Sequence, residues 1–136
     1  MKENREVILL VDDEYIVLQS AKRLLEKKGF NVLTASNGLN AMDVLKEHKD
    51  KIGVILLDLS MPGMDGEETL VNLMEIDPSA KVILFSGYAV TREIEPLFGK
   101  GAIGHIQKPF DIKELLAKLY EALNQTEDKK SEPAPA

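Results

Sequence analysis

The sequence predicts an α/β protein, a doubly wound five-stranded parallel sheet with helices on both faces, and three observations predict it. Short apolar runs alternate with stretches of helical spacing along most of the chain. Two of those runs, Val7–Val11 and Val54–Leu57, are apolar without interruption, as strands covered on both faces must be. The length, 136 residues with 44% hydrophobic, suits one domain with a real core and leaves little room for two.

Each element has a local reason. Strand runs fall at 6–11, 31–35, 53–57, 81–85 and 102–106. Glu14 to Lys28 places Val17, Ala21, Leu24 and Leu25 on one helical face, and Gly29 stops that helix. Asn37 to Glu47 carries Ala41, Met42 and Leu45. Gly66 to Ile76 buries Leu70, Leu73 and Met74, and Asp77-Pro78 ends it. Between Tyr88 and Gly101 the helical pattern is weak. Pro96 removes a donor, which costs about 3 kcal/mol in a helix interior, so a short, kinked or broken and mobile helix is expected there. The last helix, 111–123, presents Ile112, Leu115, Leu116, Leu119 and Leu123, with Asp111 as its N-cap. Residues 124–136 are polar and proline-containing, so they read as a disordered tail after a folded domain at 1–123. Alternating strands and helices with five strands suit the flavodoxin-like order 2-1-3-4-5.

Composition excludes several classes. Net charge is −6 and the basic residues are scattered, so direct nucleic-acid binding is not expected. Cysteine is absent, which removes disulfides and thiolate metal sites. The apolar runs are too short for a membrane span, and Met1-Lys2-Glu3-Asn4-Arg5 leads straight into a strand without a secretory signal, so a cytoplasmic location is expected.

In this topology ligands sit outside the carboxyl ends of the strands, where strand order reverses between strands one and three. Asp12-Asp13 follows the first strand, Asp58 the third, Ser86 the fourth and Lys108 the fifth. Carboxylates that gather this way repel unless something cationic sits among them, which suits a divalent cation and a phosphoryl group. Taken singly, each has a plainer reading: Asp12-Asp13 as a turn and helix cap, Asp58 as a strand-end cap, Ser86 as a turn residue, Lys108 as a surface cation.

Four segments in order, Val11-Asp12-Asp13-Glu14, Leu57-Asp58-Leu59-Ser60-Met61-Pro62-Gly63-Met64-Asp65-Gly66, Phe85-Ser86-Gly87 and Lys108-Pro109-Phe110, resemble the receiver domain of two-component response regulators. The resemblance implies that Asp58 is the phosphoacceptor. It implies Asp13, Asp58 and the backbone carbonyl of Ser60 as direct ligands of Mg²⁺ (or Mn²⁺), with Asp12 acting through a metal-bound water. Lys108 would pair with Asp58 and then with a phosphoryl oxygen, while Ser86 would hydrogen-bond another. Ser86 and His105 would form the switch. Ser60 and Tyr88 would flank the phosphoryl group and set its lifetime, Tyr88 by shielding it unless the ring points to solvent. The Lys108–Pro109 bond would be cis, turning Lys108 into the pocket, against a general X–Pro rate of about 5–6%.

His105 stands where receivers usually carry Tyr or Phe. A planar, pH-sensitive switch and a half-exposed histidine without a role both fit. Pro96, Gly99 and Gly101 also depart from the usual output face. No cofactor besides the metal is implied. The expected phosphodonor is a phosphohistidine on a histidine kinase or histidine phosphotransfer protein. The output is an unknown downstream protein or onward transfer, and a stand-alone regulator and a hybrid-kinase receiver fit equally. Such a protein is a signalling switch with self-directed phosphotransfer and autodephosphorylation, not an enzyme acting on other substrates. Two alternatives stand beside it. One is an aspartyl-phosphate phosphatase of haloacid dehalogenase type, although Asp12-Asp13-Glu14 lacks that group's Asp-x-Asp. The other is a non-phosphorylated interaction module.

Overall fold

The computed structural model describes residues 6–59, 66–87, 92 and 94–131. Strands β1 (Val7–Val11), β2 (Asn31–Ala35), β3 (Ile52–Asp58), β4 (Val82–Ser86) and β5 (Ala102–Gln107) form one sheet in the order β2-β1-β3-β4-β5. Every pair is parallel. Helices α1 (Tyr15–Lys27), α2 (Gly38–His48), α3 (Gly66–Ile76) and α4 (Ile112–Ser131) and a 3₁₀ helix (Glu95–Lys100) connect them. The expected fold class and strand order are those observed.

Period-two alternation explains why the central strands are apolar throughout. Leu9, Val11, Ile55 and Leu57 face a core shared with α2, α3 and the 3₁₀ helix. Ile8, Leu10, Val54 and Leu56 face the opposite core, under α1 and α4. The four residues from Ile8 to Val11 are between 0 and 2% exposed. Each such side chain contributes about 1.5–3 kcal/mol through burial, so a polar residue at any of these positions would lose that and leave an unpaired group between two helical layers.

Helix α1 corrects the expected stripe. Leu18, Ala21 and Leu25 are buried, Val17 is half-buried, and Leu24 is 43% exposed. Positions 17 and 24 lie on one flank of the Ala21 line and positions 18 and 25 on the other. Both flanks carry leucine, so docking onto the sheet, not hydrophobic period, selects the face. Helix α2 is capped at both levels: Asn37 Oδ1 accepts from Asn40 N–H at 2.8 Å, and Asn40 Oδ1 accepts from Ser36 N–H at 3.1 Å. Asp111 Oδ1 accepts from Lys113 N–H at 3.1 Å, as expected of the α4 cap. Helix α4 then runs on through 124–131, which the sequence assigns to a disordered tail. That stretch holds no glycine or proline, and the first breaker is Pro133. The rest of the expected tail, 132–136, lies outside the described residues.

Of the weak fourth helical segment, residues 88–91 and 93 lie outside the described residues, and Glu95–Lys100 is a 3₁₀ helix with Pro96 in the first turn, where its missing N–H leaves no bond unmade. Gly101 closes it at φ +124°, donating its N–H to the Leu97 carbonyl. A Cβ there would also stand 2.7 Å from Met74 Cγ and Sδ. Gly101→Ala should therefore cost about 2–3 kcal/mol from backbone strain plus contact. Urea unfolding checks this, with a Met74→Ala cycle separating the two parts; unchanged stability would refute it. The Lys108–Pro109 peptide bond is cis. Among the described residues no helix is long and apolar enough to cross a membrane.

Candidate functional site

Sheet register builds the site. Val11 pairs with Leu57, so Asp12 and Asp58 emerge side by side from β1 and β3. Asp58 pairs with Phe85 across β3 and β4, and Ser86 pairs with Gln107, which Lys108 follows. Backbone bonds hold these strand ends together: Leu59 N–H donates to Phe85 O at 2.9 Å and Lys108 N–H to Ser86 O at 2.7 Å. Four separate segments are thereby delivered to one edge of the sheet.

Asp12 and Asp58 are almost fully buried, at 1% and 2% exposed, while Asp13 is exposed. Carboxylate oxygens of the three lie within 4.8 Å of one another. Lys108 Nζ sits 3.1 Å from Asp12 Oδ2 and 3.3 Å from Asp58 Oδ2. The expected pairing with Asp58 is present, and Asp12 shares the ammonium. Burial works against the Lys108 charge, but the hydrogen bond to Asp12 and the fields of Asp58 and Asp12 outweigh it, so its pKa is held above the ordinary lysine value. Asp12 Oδ1 also accepts from Glu14 N–H at 3.0 Å, which is the turn half of its plainer reading; the N-cap of α1 is Glu14, and no side chain caps that helix.

One contributor escaped the sequence reading. Phe85 lies under Lys108, with Nζ 5.1 Å from its ring centroid, and Phe110 packs edge-on against Phe85 at 6.0 Å. This aromatic wall limits the paths of the lysine stem and adds cation–π attraction. The available signal was Phe85's position directly before Ser86 at a strand end, but sequence does not show which ring a distant lysine will cross.

Ser86 is fully buried, and its Oγ lies 3.0 Å from His105 Nε2. His105 itself is half-buried. Burial and the nearby Lys118 ammonium hold its pKa below the ordinary imidazole value, against the opposing pull of Glu114. Ser60 and Tyr88, expected beside the phosphoryl position, lie outside the described residues, as does the loop between Met61 and Asp65.

The donor set fits a hard divalent cation. Three carboxylates meet one ammonium, which leaves an excess of negative charge, and every side-chain ligand atom offered is oxygen. Asp12, Asp13 and Asp58 form a cluster able to hold such an ion.

Comparison with known proteins agrees with this fold. A family model for the response regulator receiver domain matches residues 8–120. The chain is 37% identical over 110 residues to sporulation initiation phosphotransferase F of Bacillus subtilis (strain 168), covering 81% of this chain and 87% of that protein. A response regulator receiver domain protein from Clostridium thermocellum superposes with a TM-score of 0.83 at 30% identity, covering 89% of this chain and 96% of that one. The CheX-CheY-BeF3-Mg²⁺ complex from Borrelia burgdorferi matches with a TM-score of 0.79 at 33% identity, covering 85% and 87%.

Proposed function

Because the chain belongs to the response regulator receiver domain family, members of which are signalling switches, we propose that it accepts a phosphoryl group on Asp58 from the phosphohistidine of a histidine kinase or histidine phosphotransfer protein. The observation that carries this reading is the shared ammonium: Lys108 bridges two nearly buried carboxylates that have a third beside them.

Asp58 is the nucleophile. One of its oxygens forms the new P–O bond as the donor's P–N bond breaks, and the imidazole leaves with the electron pair. Lys108 pairs with the Asp58 carboxylate and then follows the charge onto a phosphoryl oxygen, as a compact cation on a flexible stem can. Ser86 donates its hydroxyl hydrogen to another phosphoryl oxygen. Asp13 and Asp58, with the Ser60 carbonyl, would hold Mg²⁺ directly, and Asp12 would act on it through water. The chemistry supplied there by the cation is neutralisation of the charge between nucleophile and incoming group. Water attack on the same phosphorus returns Asp58 to its starting state, at a rate influenced by Ser60 and Tyr88. The output is altered binding of a downstream protein or onward transfer.

Intact-mass measurement after incubation with a small phosphodonor and Mg²⁺ tests the reading. A gain of one phosphoryl group is expected, and none with chelator. An unchanged mass under conditions that load a known receiver would remove the proposal.

A further inference from the structure

We propose that His105 is the positioning residue for the Ser86 hydroxyl, and that a phosphoryl group on Asp58 fixes its imidazole as an Nε2–H donor. The inference deepens the receiver reading and rests on it. It starts from the 3.0 Å separation between Ser86 Oγ and His105 Nε2. Ser86 is fully buried, and Lys108 N–H holds its carbonyl at 2.7 Å, so the hydroxyl turns on an anchored strand end.

Hydrogen counting gives the rest. A serine hydroxyl carries one hydrogen and two lone pairs, and a neutral imidazole offers one N–H and one bare nitrogen. Without a phosphoryl group the contact is satisfied in either sense: Ser86 O–H toward a bare Nε2, or Nε2–H toward Ser86 Oγ. A phosphoryl oxygen offers Ser86 only lone pairs, so serving it uses the one hydrogen that serine has. The contact with His105 then persists only with Nε2–H as donor. Loading at Asp58 is thereby written into the protonation pattern of a ring on β5. A phenyl ring at this position has no donor to contribute.

The charges around the ring set the direction of the linked proton affinity. Among the described residues, Lys118 and Glu114 of α4 act on His105, and the uncharged Ser86 faces it from β4. Burial and Lys118 disfavour the imidazolium. A phosphoryl group adds negative charge on the Ser86 side and favours it. Loading should therefore move the His105 titration upward.

The test uses the full chain labelled with ¹⁵N, with Mg²⁺ alone and with Mg²⁺ plus beryllofluoride as a stable stand-in for the phosphoryl group. Fluorine spectra report whether the stand-in is bound, and long-range proton–nitrogen spectra report each imidazole nitrogen. In the loaded protein His105 Nε2 should lie at the N–H end of the imidazole nitrogen range, and Ser86→Ala should release that preference. His105→Phe should weaken beryllofluoride binding about three- to tenfold, the value of one hydrogen bond, and His105→Gln, which keeps an N–H donor, should restore most of it. Bound fluoride with a bare His105 Nε2 overturns this inference and leaves the receiver reading standing. No bound fluoride in the wild type, together with no mass gain from a phosphodonor, overturns both.

Discussion

Incubated with a small phosphodonor and Mg²⁺, Asp58→Asn should keep its starting mass while the wild type gains one phosphoryl group. The amide has nearly the shape of the carboxylate and lacks its nucleophilic charge. The substitution should also leave the fold nearly unchanged in stability. Asp58 is 2% exposed, but its ammonium partner keeps the shorter contact, 3.1 Å to Asp12. Two nearly buried carboxylates now share that ammonium with a third beside them, so losing one relieves repulsion as it removes an ion pair. A net change within about 1 kcal/mol is expected in metal-free buffer, together with weaker Mg²⁺ binding. Denaturant unfolding beside the mass measurement separates lost chemistry from lost structure. Phosphoryl uptake by a folded Asp58→Asn protein would place the acceptor elsewhere.

Lys108→Met should do the opposite: it should damage stability and transfer together. Methionine keeps most of the stem that passes over Phe85 but leaves Asp12 and Asp58 buried without their cation. Removing one partner of a buried pair costs about 3–5 kcal/mol. Lys108 retains a fifth of its side-chain exposure, so the low end, about 3 kcal/mol, is expected without metal.

The sign of the pH dependence follows from linkage. In the wild type the Lys108 pKa is raised. Its contribution is complete below the ordinary lysine value of 10.5 and is lost only as pH rises through the higher folded value. In Lys108→Met that alkaline limb disappears. Mg²⁺, which supplies the cationic charge that the two facing carboxylates have lost, should recover part of the stability at neutral pH. Transfer from a phosphodonor should slow about 10²–10³-fold, as for loss of one preorganised electrostatic donor. Equal stability of variant and wild type in chelator at neutral pH would show that the lysine does not hold the acids together.

Much of this was legible because strand ends are topological positions. Asp12, Asp58, Ser86 and Lys108 each follow an apolar run, and parallel strands all finish at the same edge. The order of the sheet was legible for a related reason: uninterrupted apolar runs mark the central strands. The Leu18 and Leu24 flanks of α1 were not distinguishable, because both satisfy the same helical period and the sheet selects between them. The extent of α4, to Ser131, does not follow from composition: 124–131 is polar, yet it holds no residue that breaks a helix. The Phe85 wall and the Ser86–His105 contact were also not visible.

The sequence by itself determined the fold class, the edge at which chemistry collects and the residue types that collect there, since all three depend on local period and order along the chain. Only the tertiary structure decided which atoms meet: that Lys108 divides its ammonium between Asp12 and Asp58, and that Ser86 Oγ meets His105 Nε2. Lys108 and Asp12 are 96 positions apart, and contacts of that range depend on register and on packing at the strand ends. A shift of one residue in register would leave every local pattern intact and turn these side chains to the other face.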